Sequence, residues 1–169
     1  MNPAEAFDAA LREEYSAASN FRMALEAVGG STRTLAEELG VSQRTVQRWA
    51  KFEAGAGGEG RNPARSPQAG ELRAMADAQR EARALERLER MTDFEADLDV
   101  NYEDEDGEDE GARSGRPMAA PLNLRPAVEL YRQNAPMAQV GAAFASALGA
   151  SYGLPPSLMI SNIEGVVLR

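Results

Sequence analysis

Apolar residues change their spacing along this chain, and each change marks a different kind of element. Phe7, Leu11, Tyr15, Ala18, Phe21, Met23, Leu25 and Val28 recur mostly in steps of three and four, which predicts one long amphipathic helix. Asn2 is placed to cap it, Pro3 suits its first position, Glu5 favours its positive end, and Gly29-Gly30 closes it. In Thr32–Lys51, Leu35, Ala36, Leu39, Gly40, Val41, Val46 and Trp49 follow helix-turn-helix spacing. The long first helix is expected to cover the apolar side of that motif and complete a three-helix core. Glu71–Met91 is rich in Ala, Leu, Glu and Arg, all strong helix formers. The period then falls to two, with Phe94, Ala96, Leu98, Val100 and Tyr102 alternating with polar residues, which predicts a half-buried strand. Ala120–Leu124 is a second strand candidate, followed by helices over Ala127–Gln133 and Met137–Tyr152. A final interrupted strand covers Leu158–Ile160 and Ile163–Leu168, with Gly165 as a bulge.

The spacing in Thr32–Lys51 has a physical basis. Two helices crossing steeply need a small residue at their closest approach, which Ala36 supplies, and the reversal needs a left-handed residue, which Gly40 adopts without a Cβ penalty. Ser42 is placed to accept from the N–H groups that open the second helix. The face of that helix not used by Val46 and Trp49 carries Gln43, Arg44, Gln47, Arg48 and Lys51, side chains that reach bases and phosphates. Ser42, Gln43, Arg44, Gln47, Arg48 and Lys51 are therefore the expected contacts to double-stranded DNA. A ligand-free helical hairpin is the plainer alternative, and the N-cap and the Gln/Arg-rich face argue against it.

A formal net charge of −9 opposes that reading until it is divided along the chain. Residues 1–90 carry 13 basic and 14 acidic side chains; residues 91–112 carry 11 acidic and no basic ones; residues 113–169 carry 5 basic and 2 acidic. One segment owns the acidity, so the low global charge says little about the basic helix. The absence of cysteine and histidine removes disulfides, thiolate chemistry, imidazole acid–base work and His- or Cys-ligated metals. No apolar run approaches the ~20 residues of a bilayer span, and the first residues lack the pattern of a signal peptide. The expectation is a cytoplasmic binding protein with no membrane partner, no cofactor and no enzymatic activity of its own.

The expected architecture is α+β: a helix-turn-helix domain over 1–53, a linker over 54–69, a connecting helix over 70–91, and a small α/β module over 92–169. That module reads strand-strand-helix-helix-strand, with an acidic loop at 103–112. Gly and Pro residues mark the linker as mobile, and within it Arg61 and Arg65 sit either in solvent or as a flexible arm tracking a phosphate. The connecting helix is expected to be exposed and laced by i,i+4 pairs, with Leu72, Met75, Ala82, Leu85 and Leu88 forming a narrow stripe that could seam a homodimer. Glu103–Glu110 reads EDEDGEDE, a self-repelling run without the residue order of a calcium loop. Asp93, Asp97 and Asp99 lie on the polar side of the alternation, not facing inward as a two-metal nuclease needs. The acidic run could instead compete with DNA for the basic helix.

The segment Leu39-Gly40-Val41-Ser42-Gln43-Arg44-Thr45-Val46-Gln47-Arg48, with the element order after it, resembles the telomere-protecting terminal protein (Tpg) family of linear actinobacterial replicons. The element order is matched through a strand near Leu122, a helix with Leu130-Tyr131 and a terminal strand with Ile163-Glu164. The resemblance implies a protein that binds telomeric DNA, partners a telomere-associated protein and a DNA polymerase, and offers a hydroxyl that primes end replication. Ser114, the hydroxyl between the two strand candidates, is flanked by Arg113 and Arg116 and is the candidate for that role. The adjacent acidic run departs from a basic family pattern. A helix-turn-helix transcriptional regulator of a mobile element is the alternative.

Overall fold

The computed structural model describes residues 1–12, 18–56, 60–104, 107–113, 119–155 and 159–168. Its elements are α1 (Pro3–Arg12), α2 (Asn20–Ala27), α3 (Thr32–Glu38), α4 (Gln43–Glu53), a single 3-10 turn at Pro63–Arg65, α5 (Ala69–Arg90), β1 (Phe94–Asp104), β2 (Gly107–Arg113), α6 (Arg125–Arg132), α7 (Met137–Ser151) and β3 (Met159–Leu168). The fold is α+β, as expected. The chain divides into two units, Tyr15–Arg83 and Met1–Glu14 with Ala84–Arg169.

That division departs from the expected 1–53 domain. The predicted long first helix is two helices serving different cores. α1 ends at Arg12, and its Phe7 and Leu11 are buried with Phe144 of α7, Phe7 and Phe144 meeting edge to face with ring centroids 5.7 Å apart. α2 starts at the Ser19 cap, whose Oγ accepts from the Arg22 N–H at 3.2 Å, and its Phe21 and Ala24 are buried with Leu35, Val46 and Trp49. The helix-turn-helix core therefore comes from α2, α3, α4 and Leu72 of α5.

α5 is not the exposed connector that its charges suggest. Leu72 and Ala76 are buried in one unit, and Ala84, Leu85 and Leu88 in the other. Of the stripe, Leu72, Leu85 and Leu88 are buried in the chain's own cores, Met75 is half-buried and Ala82 is exposed. Some arginines pair along the helix, such as Arg73 with Asp77 at 3.7 Å and Arg90 with Glu86 at 3.5 Å. Others reach neighbouring elements. Arg80 donates to the Ala18 carbonyl at 2.9 Å, Arg83 pairs with Glu26, and Glu89 binds Arg132 of α6 through two hydrogen bonds of 2.7 and 3.1 Å. That hydrogen-bonded guanidinium holds the Glu89 carboxyl below its ordinary pKa.

In the larger unit, a three-stranded antiparallel sheet has the order β2-β1-β3, and its β1 and β3 strands pack Phe94, Ala96, Ile160 and Ile163 against α1, the end of α5, α6 and α7. The predicted alternation holds where side chains are described: Phe94 and Ala96 are buried, and Glu95, Asp97 and Asp99 are exposed. The order strand-strand-helix-helix-strand also holds, but its second strand is elsewhere. Ala120–Leu124 forms no strand. Pro121 lacks an N–H, the Leu122 N–H reaches the Thr92 carbonyl at 3.0 Å, and Leu122 and Leu124 are buried as plugs. The second strand is instead drawn from the expected acidic loop, because Leu98–Asp104 pairs in continuous register with Arg113–Gly107. In β3, the register slips between the pairs Glu95–Val167 and Asp97–Glu164, placing an extra residue in the 165–166 stretch where the Gly165 bulge was expected.

Candidate nucleic-acid interface

The geometry of the basic helix starts at the turn before it. Gly40 has φ 61°, its N–H reaches the Glu37 carbonyl at 3.3 Å, and the Val41 N–H reaches the Ala36 carbonyl at 2.9 Å. This is a Schellman closure, and a left-handed residue is what makes it possible. Ser42 then caps α4: its Oγ accepts from the Thr45 N–H at 3.2 Å and lies 2.9 Å from the Thr45 hydroxyl. Gln43 donates to Thr32 Oγ1 at 3.3 Å, tying the start of α4 to the start of α3.

Burial fixes which way α4 faces. Val46 and Trp49 are fully covered, Trp49 meeting Phe21 edge to face at 6.3 Å. With about 100° per residue, Arg44, Gln47, Arg48 and Lys51 fall within one arc of about 100° on the opposite side. Gln43, Arg44, Gln47 and Lys51 are exposed and Arg48 is half-buried. Among the described residues neither Arg44 nor Arg48 has a carboxylate partner, whereas Arg33 on α3 is paired with Glu37 at 3.0 Å. The unit as a whole holds 10 basic and 8 acidic side chains, and the other unit 8 and 19.

No family model, curated protein or solved structure matches this chain.

Five of the six expected DNA contacts thus form the outer side or leading end of one helix, and Ser42 serves as that helix's cap. Ser114 lies outside the described residues. Of the carboxylates weighed against metal roles, Asp93 accepts from the Phe94 N–H at 3.0 Å and Asp99 from the Asn162 amide at 3.0 Å, and Asp97 is exposed. Among the described residues no group of three or more carboxylates could hold a metal ion, and no helix is long and apolar enough to cross a membrane.

The expected mobile linker contains a further part of this surface. Residues 60–66 form an ordered turn: Asn62 Oδ1 accepts from the Ala64 N–H at 2.9 Å, the Ser66 hydroxyl donates to the Pro63 carbonyl at 2.7 Å, and Pro63 is buried. The Arg61 N–H donates to the Arg48 carbonyl at 3.1 Å, fixing this turn to α4. The Gly and Pro content concealed it. Asn62-Pro63, a capping residue before a proline suited to a first helical position, was the available signal.

Proposed function

We propose that this chain is a sequence-directed, double-stranded DNA-binding protein of a linear or mobile replicon, with α4 as the helix that enters the major groove. The observation that carries this reading is the single arc of Arg44, Gln47, Arg48 and Lys51 opposite Val46 and Trp49, on a helix capped by Ser42 and set by the Gly40 turn. Arg and Gln are the side chains that make paired hydrogen bonds to guanine and adenine edges, and Lys adds phosphate contact. Arg44→Ala and Arg48→Ala should each weaken binding by about 1–3 kcal/mol, roughly tenfold or more, with an unchanged melting curve. Titration of a duplex library at several salt concentrations measures this. Parent-like binding by both variants would sink the reading.

Within that reading, the resemblance to terminal proteins favours telomeric duplex as the site, with a telomere-associated protein and a polymerase as partners. Of the elements on which that resemblance rests, α6 with Leu130-Tyr131 and β3 with Ile163-Glu164 support it, whereas the strand near Leu122 is absent and β2 lies at Gly107–Arg113. A regulator of a mobile element would use the same head, and the acidic excess of the other unit, which repels a nucleic-acid backbone, favours that alternative. Incubation with labelled nucleotide, polymerase and telomeric template separates them. An alkali-sensitive label on the protein supports priming; specific duplex binding without label supports regulation.

A further inference from the structure

We infer that Arg61 is a positioned phosphate contact that extends the DNA-binding face beyond α4. The inference rests on the DNA-binding reading of α4. Gly60 lies directly on the helix: a Cβ there would sit 2.8 Å from the Phe52 Cα and 2.9 Å from its backbone nitrogen. The next residue donates its N–H to the Arg48 carbonyl. On the helix circumference Phe52 falls about 40° beyond Arg48, on the side away from Lys51. The segment 60–61 therefore abuts the basic arc at its Arg48 edge and continues it around the helix. Beyond Arg61 the chain is held by the Asn62 cap and buried Pro63, so the Arg61 backbone has little freedom. Its side chain is exposed and has no carboxylate partner among the described residues.

A cation on a fixed backbone beside a major-groove helix matches a flanking phosphate better than a base edge, because phosphate contacts set the orientation of the helix. It orders little on binding, since the turn is already formed. Arg65 is the internal comparison. It is exposed too, but its N–H bonds to the Asn62 carbonyl at 3.2 Å within its own turn and not to α4.

The test is the slope of log affinity against log salt for the full chain on duplex DNA. Arg61→Ala should reduce the slope by about 0.9, one phosphate, whereas Arg61→Lys should restore most of it and Arg65→Ala should leave it unchanged. Gly60→Ala changes no charge, yet by pushing the turn off α4 it should reduce the slope as Arg61→Ala does. A thermal melt accompanies each variant; should Gly60→Ala not fold, the contrast of Arg61→Ala with Arg61→Lys and Arg65→Ala decides. Equal losses from Arg61→Ala and Arg65→Ala would mean diffuse charge and overturn the inference. Loss of binding in Arg44→Ala with no slope change in Arg61→Ala would also overturn it while leaving the α4 reading intact.

Discussion

Among the described residues, the unit containing α2, α3 and α4 has a core cluster of eight buried residues, Trp49 the largest, and presents Arg44, which has no carboxylate partner there, to solvent. The unit containing the sheet has a core cluster of twenty among the described residues and carries the acidic excess, with Glu95, Asp97 and Asp99 exposed on β1. One sign of charge is arranged on a helix face and the other on a sheet. The comparison shows why the net charge of −9 misleads: charge acts through the surface that displays it, over roughly 10 Å at 0.1 M salt. It also shows that the smaller core has less to lose.

The separateness of the two cores can be broken most forcefully from inside. Phe144 is fully buried, so Phe144→Ala should cost the sheet unit about 3–5 kcal/mol. Trp49 is the chain's single tryptophan and reports only the smaller unit. In urea, the circular dichroism transition should therefore shift or split while the midpoint of tryptophan fluorescence stays in place. Movement of both together would mean that the cores unfold as one. The converse is Leu35→Ala, which should cost about 2–5 kcal/mol and lower the fluorescence midpoint.

Smaller effects sharpen the contrast between local and long-range support. Ser42→Ala removes a cap made within four residues and should cost about 1 kcal/mol, again read from fluorescence. Glu89 and Arg132 lie on α5 and α6, and their pairing holds the Glu89 carboxyl below its ordinary value. A folded pKa below the unfolded one contributes stability above the unfolded pKa, and that contribution disappears as the pH falls through the folded pKa. Glu89→Gln should therefore lower the melting temperature of the sheet unit slightly at neutral pH and by less as the solution is acidified. A difference independent of pH would refute the assignment.

Local features were legible in the sequence because their partners lie within a few residues. Ala36, Gly40, Ser42, Val46 and Trp49 each occupy the place their spacing requires, and the alternation of β1 appears in the burial of Phe94 and Ala96. Two misreadings share one cause. Period alone counts apolar positions without saying which core receives them, so the spacing places Phe7 and Phe21 on one helix although they serve different units. The same applies to α5, whose stripe divides between two cores. The acidic stretch failed differently. Like charge in sequence argues for a solvated loop, yet backbone pairing with Leu98–Asp104 draws residues 107–113 into a strand.

By itself the sequence determined the helix-turn-helix, the orientation of its basic face, the central strand and the α+β order, because capping, turn chemistry and periodicity act over short distances. Only the tertiary structure decided that the first ten-residue helix belongs with the sheet, that β2 comes from the acidic run, and that Arg61 is fastened beside Arg48. Each of those depends on a contact between segments whose meeting no local propensity encodes.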